Sequence, residues 1–325
     1  MSDARTPPRT TPPAWRPTGL NWSDGGAALE WLSPAGATRS STLDVGARLG
    51  LTVGADRRCL GLWWDGRRVP CVAGSRIDAA AKSGQCESCA AIARTRSVAT
   101  DTTLDDPREF RVYLAHHGSV VKAGITASAR GQNRLLEQGA LSSLFLSAGT
   151  LVSARRCESL LTAALGLPQQ VHTARKRLAR WAPGTTASRA AELTAVVGRA
   201  AALDWPPGQA WDPTEPADHA PAYGLPETGL APARQLDPLR PGTTVTGEVI
   251  CRIGRDLYLR TPGLGESGPG APDSAASGGV VLVDTGLLDG WDLTRADPEV
   301  PGTASASPVA APGGTGPGTE QDALF

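Results

Sequence analysis

Apolar and β-branched residues fill 110–117 and 120–126, and only Gly118-Ser119 separates the two runs. A Gly-X pair between such runs is a tight primed turn, so this stretch predicts a β-hairpin. The two-residue loop also fixes the register. If His117 pairs with Val120, then Ala115 lies opposite Lys122, Tyr113 opposite Gly124 and Arg111 opposite Thr126. Strand alternation then puts Val112, Leu114, Val121, Ala123 and Ile125 on the core face and leaves Arg111, Tyr113 and Lys122 on the other.

The pattern continues into helices. Ser128 reads as the cap of a helix over 128–138 closed by Gly139, with Arg130 and Arg134 one turn apart on one side. Residues 141–148 read as a third strand. A helix follows over 153–165, with Leu160, Leu161, Ala164 and Leu165 as its apolar stripe. Glu158 falls at the border of that stripe, where a carboxylate is costly unless it is paired with Arg155 or Arg156 or holds a cation. Residues 189–203 form another helix begun by Ser188. Elsewhere the strand signals are at 27–32, 47–53, 243–260 and 279–284, with a turn at 252–256. Isolated hairpins are marginal in water, so the N- and C-terminal strands are expected to pair with each other. Trp31, Trp63, Trp64 and Trp291 are read first as core of that β unit, and base stacking by Trp63 or Trp64 beside Arg67 and Arg68 is the second reading.

These elements divide the chain into a tail at 1–18, an N-terminal β segment at 19–58, a cysteine segment at 59–107, an α/β domain at 108–205, a proline-rich linker at 206–241, a C-terminal β segment at 242–300 and a tail at 301–325. The tails and the Gly/Pro/Ser-rich insertion at 261–279 are expected to be mobile. A chain of 325 residues with 40% hydrophobic content can bury a core in two or three units. No apolar run approaches the length that spans a bilayer.

Cys59, Cys71, Cys86 and Cys89 have eleven, fourteen and two intervening residues. The close Cys86-Cys89 pair presents two thiolates from one turn, and an Asp65-Gly66 turn would bring Cys59 and Cys71 together, which suits a tetrahedral structural zinc site. Reduced thiols and disulfides are the other readings. The opening MSDARTPPRTTPP has no apolar signal segment, so a reducing cytoplasm is expected. Cys157 reads as a packed thiol.

Net charge is zero, yet its distribution is uneven. Residues 57–180 hold 19 Lys and Arg against 9 Asp and Glu, while residues 182–325 hold 8 against 18. A basic centre with an acidic flank is the footprint of a polyanion binder, here nucleic acid, either DNA or RNA. The alternative is that the two halves neutralise each other. Arg175, Lys176 and Arg177, with Arg180 and Trp181, read as added backbone contacts, as do Arg111, Arg130, Arg155 and Arg156. Tyr113 and Lys122 are diagonal neighbours, and a nearby ammonium favours a phenolate that can take a proton from water. The ordinary alternative is a half-buried strand tyrosine beside an edge charge.

The order strand-Tyr, strand-Gly, helix-Arg, strand, helix-Glu resembles the GIY-YIG nuclease superfamily, with Arg111-Val112-Tyr113 in the place of the first triplet and Lys122-Ala123-Gly124 in that of the second. The resemblance implies Tyr113 as general base, Arg134 (Arg130 as the alternative) as phosphate contact, and Glu158 as ligand to Mg²⁺ or Mn²⁺. Lys122 stands where the second triplet has tyrosine. More of the chain, in CLGLWWDGRRVPC, QCESCA, VYLAHHGSVVKAGIT, RLLEQGAL and VVLVDTGLLDGW, resembles actinobacterial members of the family called domain of unknown function 2797. The expected fold class is α+β: a GIY-YIG-like three-stranded antiparallel sheet with helices, preceded by the four-cysteine segment and flanked by a small β unit from N- and C-terminal strands. The expected function is nucleic-acid binding through a zinc-stabilised protein with a degenerate GIY-YIG-like site and residual metal-dependent phosphodiesterase activity, in which Lys122 assists Tyr113. An active endonuclease and a non-catalytic module for a small phosphorylated ligand stay open as alternatives, and no membrane partner is expected.

Overall fold

The computed structural model describes residues 15–23, 26–64, 67–81, 83–95, 106–261 and 279–309. The Asp65-Gly66 turn, most of the 261–279 insertion and the outer parts of both tails lie outside them. Three antiparallel strands come first: β1 (Arg16–Ser23), β2 (Gly26–Leu32) and β3 (Thr38–Thr42). Leu20, Trp22, Leu29 and Trp31 alternate inward from them. β1 therefore begins inside the stretch expected as a tail. Besides pairing with β2, its start is tied to remote residues: Trp15 bridges to Leu293, and Arg16 Nε donates to Asp292 Oδ1 at 2.6 Å.

The longer β4 (Arg48–Arg57) leads into the cysteine segment, which consists of β5 (Leu62–Trp64), β6 (Arg67–Val69) and α1 (Glu87–Thr95). Next comes the α/β unit. In β7 (Phe110–His116) and β8 (Val121–Ala127) the register is the one the turn dictates, with Tyr113 opposite Gly124, Ala115 opposite Lys122 and Arg111 opposite Thr126. His117 N donates to Val120 O across the turn at 2.8 Å. The segment 128–138 is not one helix. Ser128–Arg130 forms a 3₁₀ turn, Gly131 breaks it at φ 45°, and α2 (Asn133–Glu137) follows, closed by Gly139 at φ 68°. The Ser128 hydroxyl does not cap it.

β9 (Ser142–Gly149) pairs on the other side of β7, and α3 (Leu151–Leu165) starts two residues early because the Thr150 hydroxyl accepts from Ser153 N at 3.2 Å. Its buried stripe is Leu151, Ala154, Cys157 and Leu161, while Ala164 is exposed. α4 (Thr173–Ala179) and α5 (Thr186–Ala201) complete the helical layer, with Thr185 rather than Ser188 as the α5 cap. Val112, Leu114, Ala123, Leu144 and Leu146 pack with α3 and α5 into one core, as the alternation required. The sheet is wider than three strands. β10 (Gln209–Trp211) and β11 (Ala217–Asp218), both within the expected linker, pair with the outer side of β9, giving five strands.

The rest of that linker is also structured, as α6 (Ala220–Tyr223) and β12 (Arg234–Leu236). With β13 (Thr244–Ile253), β14 (Asp256–Arg260), β15 (Val280–Asp284), β16 (Trp291–Arg295) and β17 (Ala306–Pro308), β4 and β12 build a seven-stranded sheet in the order β16-β4-β13-β14-β15-β12-β17. N- and C-terminal strands do pair, β4 with both β13 and β16. The unit is larger than expected, and β17 lies in the expected C-terminal tail. This mixed α+β fold shares one core among β1, β2 and the seven-stranded sheet. Trp31 and Trp291 belong to that core, whereas Trp63 is 63% exposed and does not.

The α/β unit is fastened to this sheet by charge. Arg177 and Arg180, which the sequence offered to an external polyanion, instead hold Asp256 at 2.5 Å each, and Arg177 also holds Asp284 at 3.0 Å. Arg180 Nη1 further donates to Tyr258 Oη at 3.0 Å. Part of the basic surplus is thus neutralised by the acidic C-terminal half. Burial alone would raise the Asp256 pKa, but the Arg180 and Arg177 guanidiniums reverse this and hold it below the usual range. Removing the carboxylate leaves the buried Arg180 guanidinium without its carboxylate partner, while Arg177 keeps Asp284, so Asp256→Asn is expected to lower the unfolding free energy in urea by about 3–5 kcal/mol. Because the folded pKa is depressed, the stabilisation is present above the unfolded value of about 4 and is lost as pH falls through the folded one. Wild type should therefore lose stability in acid more steeply than Asp256→Asn, and equal acid limbs would refute the assignment.

Candidate functional site

Residues scattered from 108 to 170 converge on one cleft of about 540 Å³. Tyr113 reaches it from β7, Lys122 from β8, Arg130 from the 3₁₀ turn, Arg134 from α2, and Arg155 and Glu158 from α3; Arg108, Gln169 and Gln170 complete the rim. Five of the lining side chains are basic and one is acidic. The four residues singled out by sequence therefore share one hollow. Glu158 sits one helical turn past Arg155, and both line the cleft.

Tyr113 owes its position to a missing side chain. A Cβ at Gly124 would lie 2.3 Å from Tyr113 Oη and 2.4 Å from Cζ, so the ring lies directly over the glycine of the neighbouring strand. Ala115, Leu135, Ala140 and Phe145 surround the ring, and Tyr113 is only 2% exposed. Gln138 Nε2 donates to its oxygen at 2.7 Å. Burial pushes the phenol pKa up, and neither the Gln138 hydrogen bond nor the Arg134 charge reverses this. The expectation of a ready phenolate is thus corrected: desolvation outweighs the neighbouring cations.

Lys122 is buried beside it, its Nζ 5.5 Å from the Tyr113 ring centroid and donating to Gln169 O at 3.1 Å. Burial lowers its pKa to about 8, with the Glu158 carboxylate opposing and Arg134 reinforcing the shift. The loop that carries Gln169 also covers the free edge of β8, since Ala123 N donates to Pro168 O at 3.2 Å. Arg130 and Arg134 both approach Glu137, the second at 3.5 Å, so one carboxylate is shared by two guanidiniums.

The remaining candidates divide. Arg111 stacks on Phe145 at 4.8 Å and faces Asp212 at 3.9 Å, without lining the cleft. Arg156 and Arg175 are exposed on α3 and α4. Lys176 turns inward and donates to Gln138 O at 2.9 Å, with burial lowering its pKa to about 8. Cys157 is a packed thiol, raised by burial to about 11. Sequence reasoning missed Gln138, Arg108 and the Gln169-Gln170 rim, because none of them falls on a periodic face or in a spaced motif.

The second constellation is a cluster of four sulfurs. Cys59, Cys71, Cys86 and Cys89 place their ligand atoms within 4.8 Å of one another, and Cys71 Sγ stands 3.9 Å from Cys86 Sγ. Zinc–sulfur bonds of about 2.3 Å give a tetrahedral edge of about 3.8 Å, so the spacing fits a metal ion such as zinc and is nearly twice that of a disulfide. Gly61 N and Cys86 N donate to Cys59 Sγ at 3.4 and 3.2 Å. A backbone hydrogen bond from Ser75 leads the causes that lower the Cys71 pKa to about 6, toward the thiolate that binds metal.

Fold and constellations together define a mixed α+β protein with a four-cysteine cluster spaced to hold a metal ion and a cationic cleft. Residues 46–262 match the family described as protein of unknown function (DUF2797), and the chain belongs to that family. The matched span holds both the four cysteines and the whole cleft. No curated protein and no solved structure matches the chain.

The Tyr113-Gly124 contact has a direct test. Gly124→Ala should cost about 1–3 kcal/mol in urea unfolding, as overpacking does. Gly124→Ala should cost less in a Tyr113→Ala background than in wild type, whereas purely additive effects would show that the ring and the glycine are not in contact.

Proposed function

We propose that the cleft binds the phosphate backbone of nucleic acid and that the four cysteines hold a structural zinc ion. The observation that carries the first part is the convergence of Lys122, Arg130, Arg134 and Arg155 around Tyr113 and Glu158, from five separate elements, in one hollow with a single acidic lining residue. Basic side chains gathered at this density attract a polyanion and release its counterions. The arrangement also accords with the GIY-YIG resemblance, which requires its tyrosine, arginine and glutamate to share one site.

Binding is favoured over cleavage by the state of Tyr113. A buried phenol with a raised pKa is a poor proton acceptor at neutral pH, and Lys122 occupies the position of the second tyrosine. The second reading, a metal-dependent phosphodiesterase, rests on Glu158. Mg²⁺ and Mn²⁺ take oxygen ligands, and one carboxylate among five basic side chains is no preformed cage; phosphate oxygens and water would have to supply the other ligands. In that reading Arg134 steadies the charge on phosphate.

The zinc part predicts close to one zinc per purified chain, with Cys86→Ser losing both the metal and thermal stability; full stability in a strong chelator would contradict it. For the cleft, affinity for a short DNA or RNA oligonucleotide should fall linearly in log salt, and Arg134→Ala should weaken it and reduce the slope by about one. Affinity should also weaken as pH rises past about 8, where the free Lys122 ammonium discharges. Glu158→Gln should retain binding. Nicking in Mg²⁺ or Mn²⁺ that Glu158→Gln abolishes would move the assignment to the nuclease, and absence of salt-sensitive binding would end both readings.

A further inference from the structure

We infer that the β5–β6 hairpin on the four-cysteine centre is a stacking platform for the bases of single-stranded nucleic acid, with Trp63 as the contact surface. This rests on the nucleic-acid reading of the cleft and adds a second contact, of different chemistry, contributed by a different part of the chain.

Trp63 is the one exposed aromatic residue among the described residues. Its strand neighbour Leu62 is buried, as is Leu60, so the hairpin already has an anchored face, and the indole stands on the other. An exposed position forgoes the stabilisation that burying an aromatic of this size brings, so core packing does not account for a tryptophan here.

The base of the platform is fastened at both strands. Gly61 at φ 72° lies so close to β6 that a Cβ there would meet Val69 O at 1.9 Å. Cys59 and Cys71, on either side of the hairpin, both belong to the four-sulfur cluster. Across the strands Trp63 pairs with Arg68 and Trp64 with Arg67. The Arg68 guanidinium lies 5.9 Å from the Trp63 ring centroid and is pinned by donating from Nη1 to Leu60 O at 3.2 Å, while Arg67 is exposed. The hairpin thus offers a π-face with the Arg68 cation beside it. A nucleobase with its phosphate is the partner that uses both, and a single strand leaves the base face open for stacking.

The test uses two polyanions. One is a twelve-residue oligothymidylate, which carries bases; the other is inorganic polyphosphate of similar charge, which has none. Trp63→Ala should weaken oligothymidylate binding by about 5- to 100-fold, leave its salt slope unchanged and leave polyphosphate binding as in wild type. Trp63→Phe, which keeps a ring, should restore most of the affinity. Zinc content and melting temperature of both variants are measured alongside. Salt-sensitive binding of oligothymidylate that Trp63→Ala does not weaken overturns this inference and leaves the cleft reading intact. Equal loss on both polyanions overturns it too, since the loss would then be electrostatic or structural. If wild type binds neither polymer, the cleft reading fails first and this inference with it.

Discussion

The carboxylate of Asp256 is the point on which the two halves of the molecule depend. It is buried on the seven-stranded sheet and held at 2.5 Å by both Arg177 and Arg180 of the neighbouring α/β unit. Such a cluster is worth little as raw stability, because desolvation offsets attraction, but it is specific: displacing Arg180 leaves its buried guanidinium without a carboxylate partner. It therefore fixes where α4 lies. From α4, Lys176 holds the carbonyl of Gln138, and Gln138 holds the hydroxyl of Tyr113. One wall of the cleft is thus set by charge pairing with the other unit.

The cleft follows from a second constraint, the bare backbone at Gly124. With no side chain there, the Tyr113 ring can lie flat across β8 while its hydroxyl stays at the cleft. Lys122, two residues earlier on the same strand, then points to the same side and is buried against the loop of Gln169. Burying an ammonium in this way is costly, and the depressed pKa records the cost. A phosphate entering the cleft would add counter-charge to that of Glu158. The same logic explains why the tyrosine itself is a weak candidate for proton transfer: its surroundings stabilise the neutral phenol.

The hairpin, its register and the Tyr113-Gly124 pairing were legible in the sequence because a two-residue turn leaves one register that buries the right face. The cysteine cluster was legible for a similar reason, since Cys86-x-x-Cys89 fixes two ligands locally. What could not be read was set by distant partners. β10, β11 and β17 are two or three residues long, too short for any periodicity, and they exist because β9 and β12 present edges to them. Arg175, Lys176 and Arg177 look alike in a string, yet one faces solvent and two face inward, because α4 lies against Asp256 and Gln138. Trp63 and Trp31 are likewise the same letter with opposite fates, and the difference lies in whether a second layer covers the strand.

A crystal structure of the protein with a short single-stranded oligonucleotide shows whether a phosphate ester sits in the hollow between Tyr113, Lys122, Arg134 and Glu158. The expected result is a backbone phosphate within hydrogen-bonding reach of Lys122 and Arg134, beside the Tyr113 hydroxyl. An ordered oligonucleotide bound elsewhere, with the Lys122 ammonium still donating only to the Gln169 carbonyl, would contradict it.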